Sequence, residues 1–124
     1  MSYLRVSENR RYLVDDTDDS FFFLGENCWK LFHSTTREDA YEYLENRAAK
    51  GFTVIMAAFM FPDTNGGPGT NVYGDKPLIN NNPENPNEKY FSYIDHVVET
   101  GMELGLRFAL FPTWGKFVGP LGKA

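Results

Sequence analysis

The sequence predicts an α/β fold: a small N-terminal β-hairpin, then the first three parallel strands and two helices of an incomplete (β/α)8 barrel. Three observations predict it. Apolar runs and amphipathic stretches follow one another as strand, helix, strand, helix, strand, which is the order of successive βαβ units with right-handed crossovers. Each strand is apolar throughout, as strands covered on both faces are. The segments leaving the strands are long or rich in aromatics, and in a barrel the exits of all strands gather at the face that binds ligands.

Residues 1–20 are expected to hold the hairpin and its turn, with strand-like pieces at 3–7 and 11–14 around "ENR". "DDTDDS" (15–20) reads as a solvated turn, because Asp and Ser hydrogen-bond to nearby backbone. A calcium loop would need its sharp-turn glycine where Ser20 stands. The barrel portion then runs over 21–124, starting with "FFFLG" (21–25) as a strand apolar on both faces.

A helix is predicted over 36–50, with Thr35 as its cap and Glu38 completing a capping box. Ala40, Tyr43, Leu44 and Ala48 recur at helical spacing, and Gly51 stops the helix. "FTVIMAAF" (52–59) is the second strand. The segment 60–85, rich in proline, glycine and asparagine, shows no periodicity, and connections that long inside a domain are usually functional or disordered. A second helix is predicted over 86–104, opened by a capping Asn with Pro86 near its first turn and carrying Phe91, Ile94 and Val98 on one stripe. Gly105 ends it. The third strand, 106–111, follows at once, and Pro112 interrupts its ladder just before Thr113, Trp114 and Gly115. "GPLGKA" after that strand offers no covering helix.

The chain of 124 residues carries a net charge of -5, with 42% hydrophobic and 23% charged residues, an ordinary globular composition. Without a basic run it has no electrostatic footprint for nucleic acid, and no segment is long and apolar enough to be a membrane span. "MSYLRVSENRR" lacks the apolar stretch of a signal peptide, so the chain as written reads as cytoplasmic; a trimmed extracellular chain would read the same. Cys28, the sole cysteine, excludes an internal disulfide and reads as a small buried hydrophobe. "FLGENCWKLFHSTTRED" has one glycine and a long excursion before its helix, a poor match to a nucleotide-binding turn. No cofactor or metal is expected.

"VSENRRYLVDD", "FFFLGENCWKLFHSTTRED", "RAAKGFTVI", "NVYGDKPLINNNPENPNEKYF" and "LRFALFPTWGK" together resemble the start of the apiosidase-like (β/α)8-barrel glycoside hydrolases, over nearly the whole chain. The resemblance implies cleavage of plant or microbial polysaccharide side chains, with the catalytic acid and nucleophile on later strands, beyond Ala124. The family pattern after the first strand reads Leu-Gly-Asp-Thr-Ala-Trp. Here Leu24, Gly25, Glu26, Asn27, Cys28 and Trp29 stand in its place. A full barrel takes on the order of 250 residues, so this chain supplies about three of eight strands.

Glycoside hydrolysis needs two facing carboxylates. Glu26, on a short connection, could reach a sugar hydroxyl, whereas Asp63 and Asp75 sit among turn formers. No catalytic pair is assigned among them. His33 is expected to cap a helix or face solvent, and His96 to lie at the edge of a helical stripe. Neither has a partner suited to nucleophilic or metal chemistry. Trp29 and Trp114 are the stronger candidates, because an indole offers flat apolar area to the C–H face of a sugar while its N–H can reach a hydroxyl. The candidate substrate-binding residues are therefore Glu26, Asn27, Trp29, Thr113 and Trp114. The expected partner is a carbohydrate, with self-association or a complementary barrel segment covering the open sheet. Two other functions remain open: a non-catalytic carbohydrate-binding remnant, and a truncated barrel acting as an assembly module.

Overall fold

The computed structural model describes residues 3–118; "GPLGKA", expected to lack a helix, lies outside them. The N-terminal part is an antiparallel sheet of three short strands, β1 (Arg5–Val6), β2 (Leu13–Val14) and β3 (Ser20–Phe21), in the order β1-β2-β3. The predicted hairpin is thus present and gains a third strand. The turn before β3 is organised by Asp15, whose carboxylate accepts from the backbone N–H of Thr17 and Asp19. Those bonds, the Thr17 contacts first, hold the Asp15 carboxyl below its usual range.

A parallel sheet follows: β4 (Gly25–Asn27), β5 (Val54–Ala58) and β6 (Arg107–Phe111), in the order β4-β5-β6. Three helices accompany it, a single turn α1 (Leu31–Ser34) and the two crossovers α2 (Arg37–Ala49) and α3 (Glu88–Glu103). The two crossovers and the parallel order are as predicted; α1 is an additional turn of helix, and the first strand differs. The strand expected at 21–25 is split: Phe21 pairs in the antiparallel sheet, Gly25 opens β4, and Phe22 and Phe23 between them are exposed. A run of apolar residues marks a stretch that pairs somewhere, and here it spans a change of sheet.

Alternation assigns the two faces of the parallel sheet. Ile55 and Ala57 join Leu31, Phe32, Ala40, Leu44, Tyr90, Tyr93, Ile94 and Val97 in the core beneath the helices. Glu26 lies opposite Ile55, and Phe108 opposite Ile55 from the other side, so both share that helix-facing side. Asn27, Met56 and Ala109 align on the other face, as do Ala58 and Phe111.

The helix boundaries fall within a residue or two of expectation, but the caps differ. Thr36, not Thr35, caps α2, and its box partner is Asp39, not Glu38. Thr35 is occupied elsewhere: its hydroxyl donates to the Leu31 carbonyl and meets the Tyr93 hydroxyl at 2.9 Å. Asn87 caps α3, so Pro86 stands just before the helix instead of in its first turn. At Gly101 of α3 an added Cβ would sit 2.5 Å from the Phe108 ring, so only glycine lets α3 lie this close to β6.

Candidate functional site

The strand exits form the candidate site. β4 ends at Asn27, and its pairing continues through Cys28 N–H to the Met56 carbonyl and from Ala58 N–H to the Trp29 carbonyl. Those bonds fix Trp29 beside the end of β5. Its ring packs edge-on against Phe111, the last residue of β6, at 4.9 Å between centroids. Trp114, three residues further, closes on Trp29 at 5.5 Å and on Phe61 at 4.8 Å. Phe61, in the loop after β5, carries the Lys30 ammonium 4.9 Å above its ring. Trp29, Phe61, Phe111 and Trp114 are each half-buried, so the four rings form a continuous aromatic wall with part of its surface in solvent.

The short α1 places a histidine behind this wall. His33 Nε2 accepts from the backbone N–H of Phe61 at 3.1 Å and lies 3.1 Å from the Tyr90 hydroxyl, which itself donates to the Phe59 carbonyl. The ring is not a helix cap and is half-buried, which corrects the expectation of a capping or solvent-facing residue. Burial, with a smaller contribution from the Lys30 charge, lowers its pKa to about 4. It is therefore a neutral acceptor near neutral pH. Burial likewise raises the Tyr90 phenol, keeping it a donor.

The structure brings Trp29 and Trp114 together and leaves Glu26 out. Glu26 faces the helix layer, where Arg47 Nη1 lies 3.1 Å from its carboxylate. Tyr43, stacked on the Arg47 guanidinium, and Cys28 complete that polar cluster. Burial raises both the Cys28 thiol and the Tyr43 phenol, so each stays neutral. Asn27 is exposed on the wall's own face of the sheet. Thr113 instead lines a cavity of about 620 Å³ between the long loop and the β6 exit, with Phe59, Phe91, Pro112 and Phe117. Its hydroxyl is buried and finds no partner among the described residues.

Asp63 accepts from Asn65 and Gly67 N–H in a tight turn, the role its neighbours suggested. The Asp75 backbone is tied to Asn71, and its carboxylate lies 4.0 Å from Lys89. His96 is exposed on α3. Among the described residues no group of three or more His, Cys, Asp and Glu is placed to hold a metal ion. Sequence reasoning missed Phe61, Phe111 and His33 as members of the site. Phe111 reads as an ordinary strand residue, and the contacts of Phe61 and His33 arise between segments 28 positions apart.

A family model described as "Apiosidase-like, catalytic domain" matches residues 7–123. A solved structure titled "Glycoside hydrolase" is similar at 31% identity and a TM-score of 0.80, covering 91% of this chain and 26% of its own. A glycoside hydrolase family 5 crystal structure from Bacteroides vulgatus shares the fold at 24% identity and a TM-score of 0.79, covering 91% and 24%. The chain thus spans about a quarter of the length of either structure. No curated protein matches it.

Proposed function

This chain belongs to the apiosidase-like catalytic-domain family, and from that premise we propose that it supplies one wall of the sugar site of a glycoside hydrolase acting on plant or microbial polysaccharide side chains. One observation carries the proposal: Trp29 and Trp114, from the exits of two different strands, pack 5.5 Å apart with part of each indole open. Sugars present apolar C–H faces that such a surface can cover, and exposed Asn27 beside it offers an amide to hydroxyls. The described carboxylates near the exits are otherwise engaged, Glu26 by Arg47, Asp63 by its turn and Asp75 by the loop and Lys89. The wall binds, and the acid and nucleophile belong to strands outside this segment.

The test is Trp114→Ala. As a platform, Trp114 contributes about 1–3 kcal/mol to oligosaccharide binding or to kcat/KM, with a smaller fall in stability. As a purely structural residue, its truncation costs about 3–5 kcal/mol of stability while activity per folded molecule stays normal, and that pattern rejects the proposal. The 124-residue chain by itself is expected to release no sugar from pectic or aryl-glycoside substrates. Turnover that survives purification and disappears in Asp63→Asn or Asp75→Asn would relocate the chemistry to this segment.

The same reading includes covering of the sheet by a second copy or a complementary barrel segment. β6 pairs with β5 alone among the described strands, and Leu110 on its helix-facing side is exposed. Light scattering that shows a monomer with a sharp melt would argue against it.

A further inference from the structure

We infer that His33 is a positioning residue for the aromatic wall, clamping the exit of β5 so that Phe61 stays against Trp114; the inference rests on the sugar-site reading above. Phe61 lies beyond the last pairing of β5, at the start of the long loop, where the chain could leave in many directions. Two elements stop it. From α1, His33 Nε2 takes the Phe61 N–H at 3.1 Å. From α3, the fully buried Tyr90 sends its hydroxyl to the Phe59 carbonyl, and that hydroxyl lies 3.1 Å from the same Nε2. The imidazole also packs at 6.0 Å from both the Phe61 and the Tyr90 rings.

An acceptor at Nε2 puts the ring proton on Nδ1, which is buried and finds no partner among the described residues. His33 keeps that unpaired N–H buried while Nε2 ties the Phe61 backbone. The Phe61 ring, so placed, meets Trp114 at 4.8 Å. His33 itself lies behind the wall and acts on sugar through Phe61 and Trp114.

The experiment compares His33→Asn and His33→Gln in the whole chain. Glutamine can place an acceptor near the position of Nε2, whereas asparagine falls short of it. Acrylamide quenching of tryptophan emission reads the wall, far-UV dichroism reads the fold, and titration with oligosaccharides reads binding. His33→Asn is expected to raise the quenching constant about twofold through local opening of the wall, with the fold retained, and His33→Gln to restore it. Parental quenching in folded His33→Asn overturns the clamp, as does a folded His33→Gln that quenches like His33→Asn. Should His33→Asn not fold, hydrogen exchange at the Phe61 amide of the parent decides: protection is expected, and exchange at the free rate overturns the proposal. A loosened wall with unchanged oligosaccharide affinity supports the clamp and rejects the sugar-site reading. A wall unmoved in His33→Asn, with affinity lost in Trp114→Ala, does the reverse.

Discussion

The two faces of one parallel sheet make different use of the same three strands. On the helix side Ile55 and Ala57 are fully buried with Leu44, Tyr90 and Leu106, and even the charged Glu26 finds Arg47 there. At the exits on the opposite side the rings of Trp29, Phe61, Phe111 and Trp114 touch each other and remain half-open. Aromatic residues crowd both regions, so hydrophobicity does not separate them. What separates them is closure: the crossover helices bury one set of rings, while the other, backed by His33 of α1, stays partly open. A half-open aromatic surface fixed by strand ends is the arrangement a binding role would use, whereas a closed one serves stability.

The sharpest way to break that contrast is to damage the closed side. Leu44→Ala removes a fully buried side chain beneath the sheet and is expected to cost about 2–5 kcal/mol in denaturant melts. Should Trp114→Ala cost as much stability as Leu44→Ala, the two regions are energetically alike and the distinction fails. A smaller effect sharpens it. Glu26→Gln keeps the shape beside Arg47 and removes the charge of a pair whose members are each about three-quarters covered. About 1 kcal/mol of stability should be lost, with oligosaccharide affinity unchanged; a large affinity loss would return Glu26 to the sugar site.

A pH dependence links the two sides through His33. Its pKa is 6.5 when unperturbed and about 4 in the fold. The unfolded chain therefore binds a proton at a pH where the folded chain does not, and stability falls as pH drops from 6.5 towards 4. Above 6.5 this contribution is fully present; below about 4 the loss is complete. Lys30 is the charged neighbour that adds to the shift, and Tyr90 stays neutral. The expected outcome is therefore a shallower fall of Tm with acid in His33→Gln than in the parent. Parallel curves would mean that the imidazole takes up its proton equally in both states.

Much of this is legible in the sequence. Alternating apolar runs and amphipathic stretches place both crossover helices and the second and third parallel strands, β5 and β6, because strands inside a parallel sheet favour apolar residues. The same logic overreached at Phe21–Leu24, where hydrophobicity cannot say which of two sheets a residue joins. The helix caps slipped by one residue, since "TTRED" offers two threonines and two acids, and the Leu31 carbonyl and Tyr93 engage Thr35. Trp29 and Trp114 were recognisable from their positions after predicted strands.

By itself the sequence determined the order of the crossover elements, the buried face of α2, the family and the two indoles at the strand exits. All of these follow from local spacing or from motifs read along the chain. The tertiary structure alone decided that Glu26 turns to Arg47, that Phe61 and Phe111 join the wall, and that His33 ties Phe61 in place. Each depends on a partner far along the chain: Arg47 is 21 positions from Glu26, and Phe61 is 28 from His33. Spacing along a chain sets which side of its own element a residue occupies; what stands on that side is set by how the elements pack.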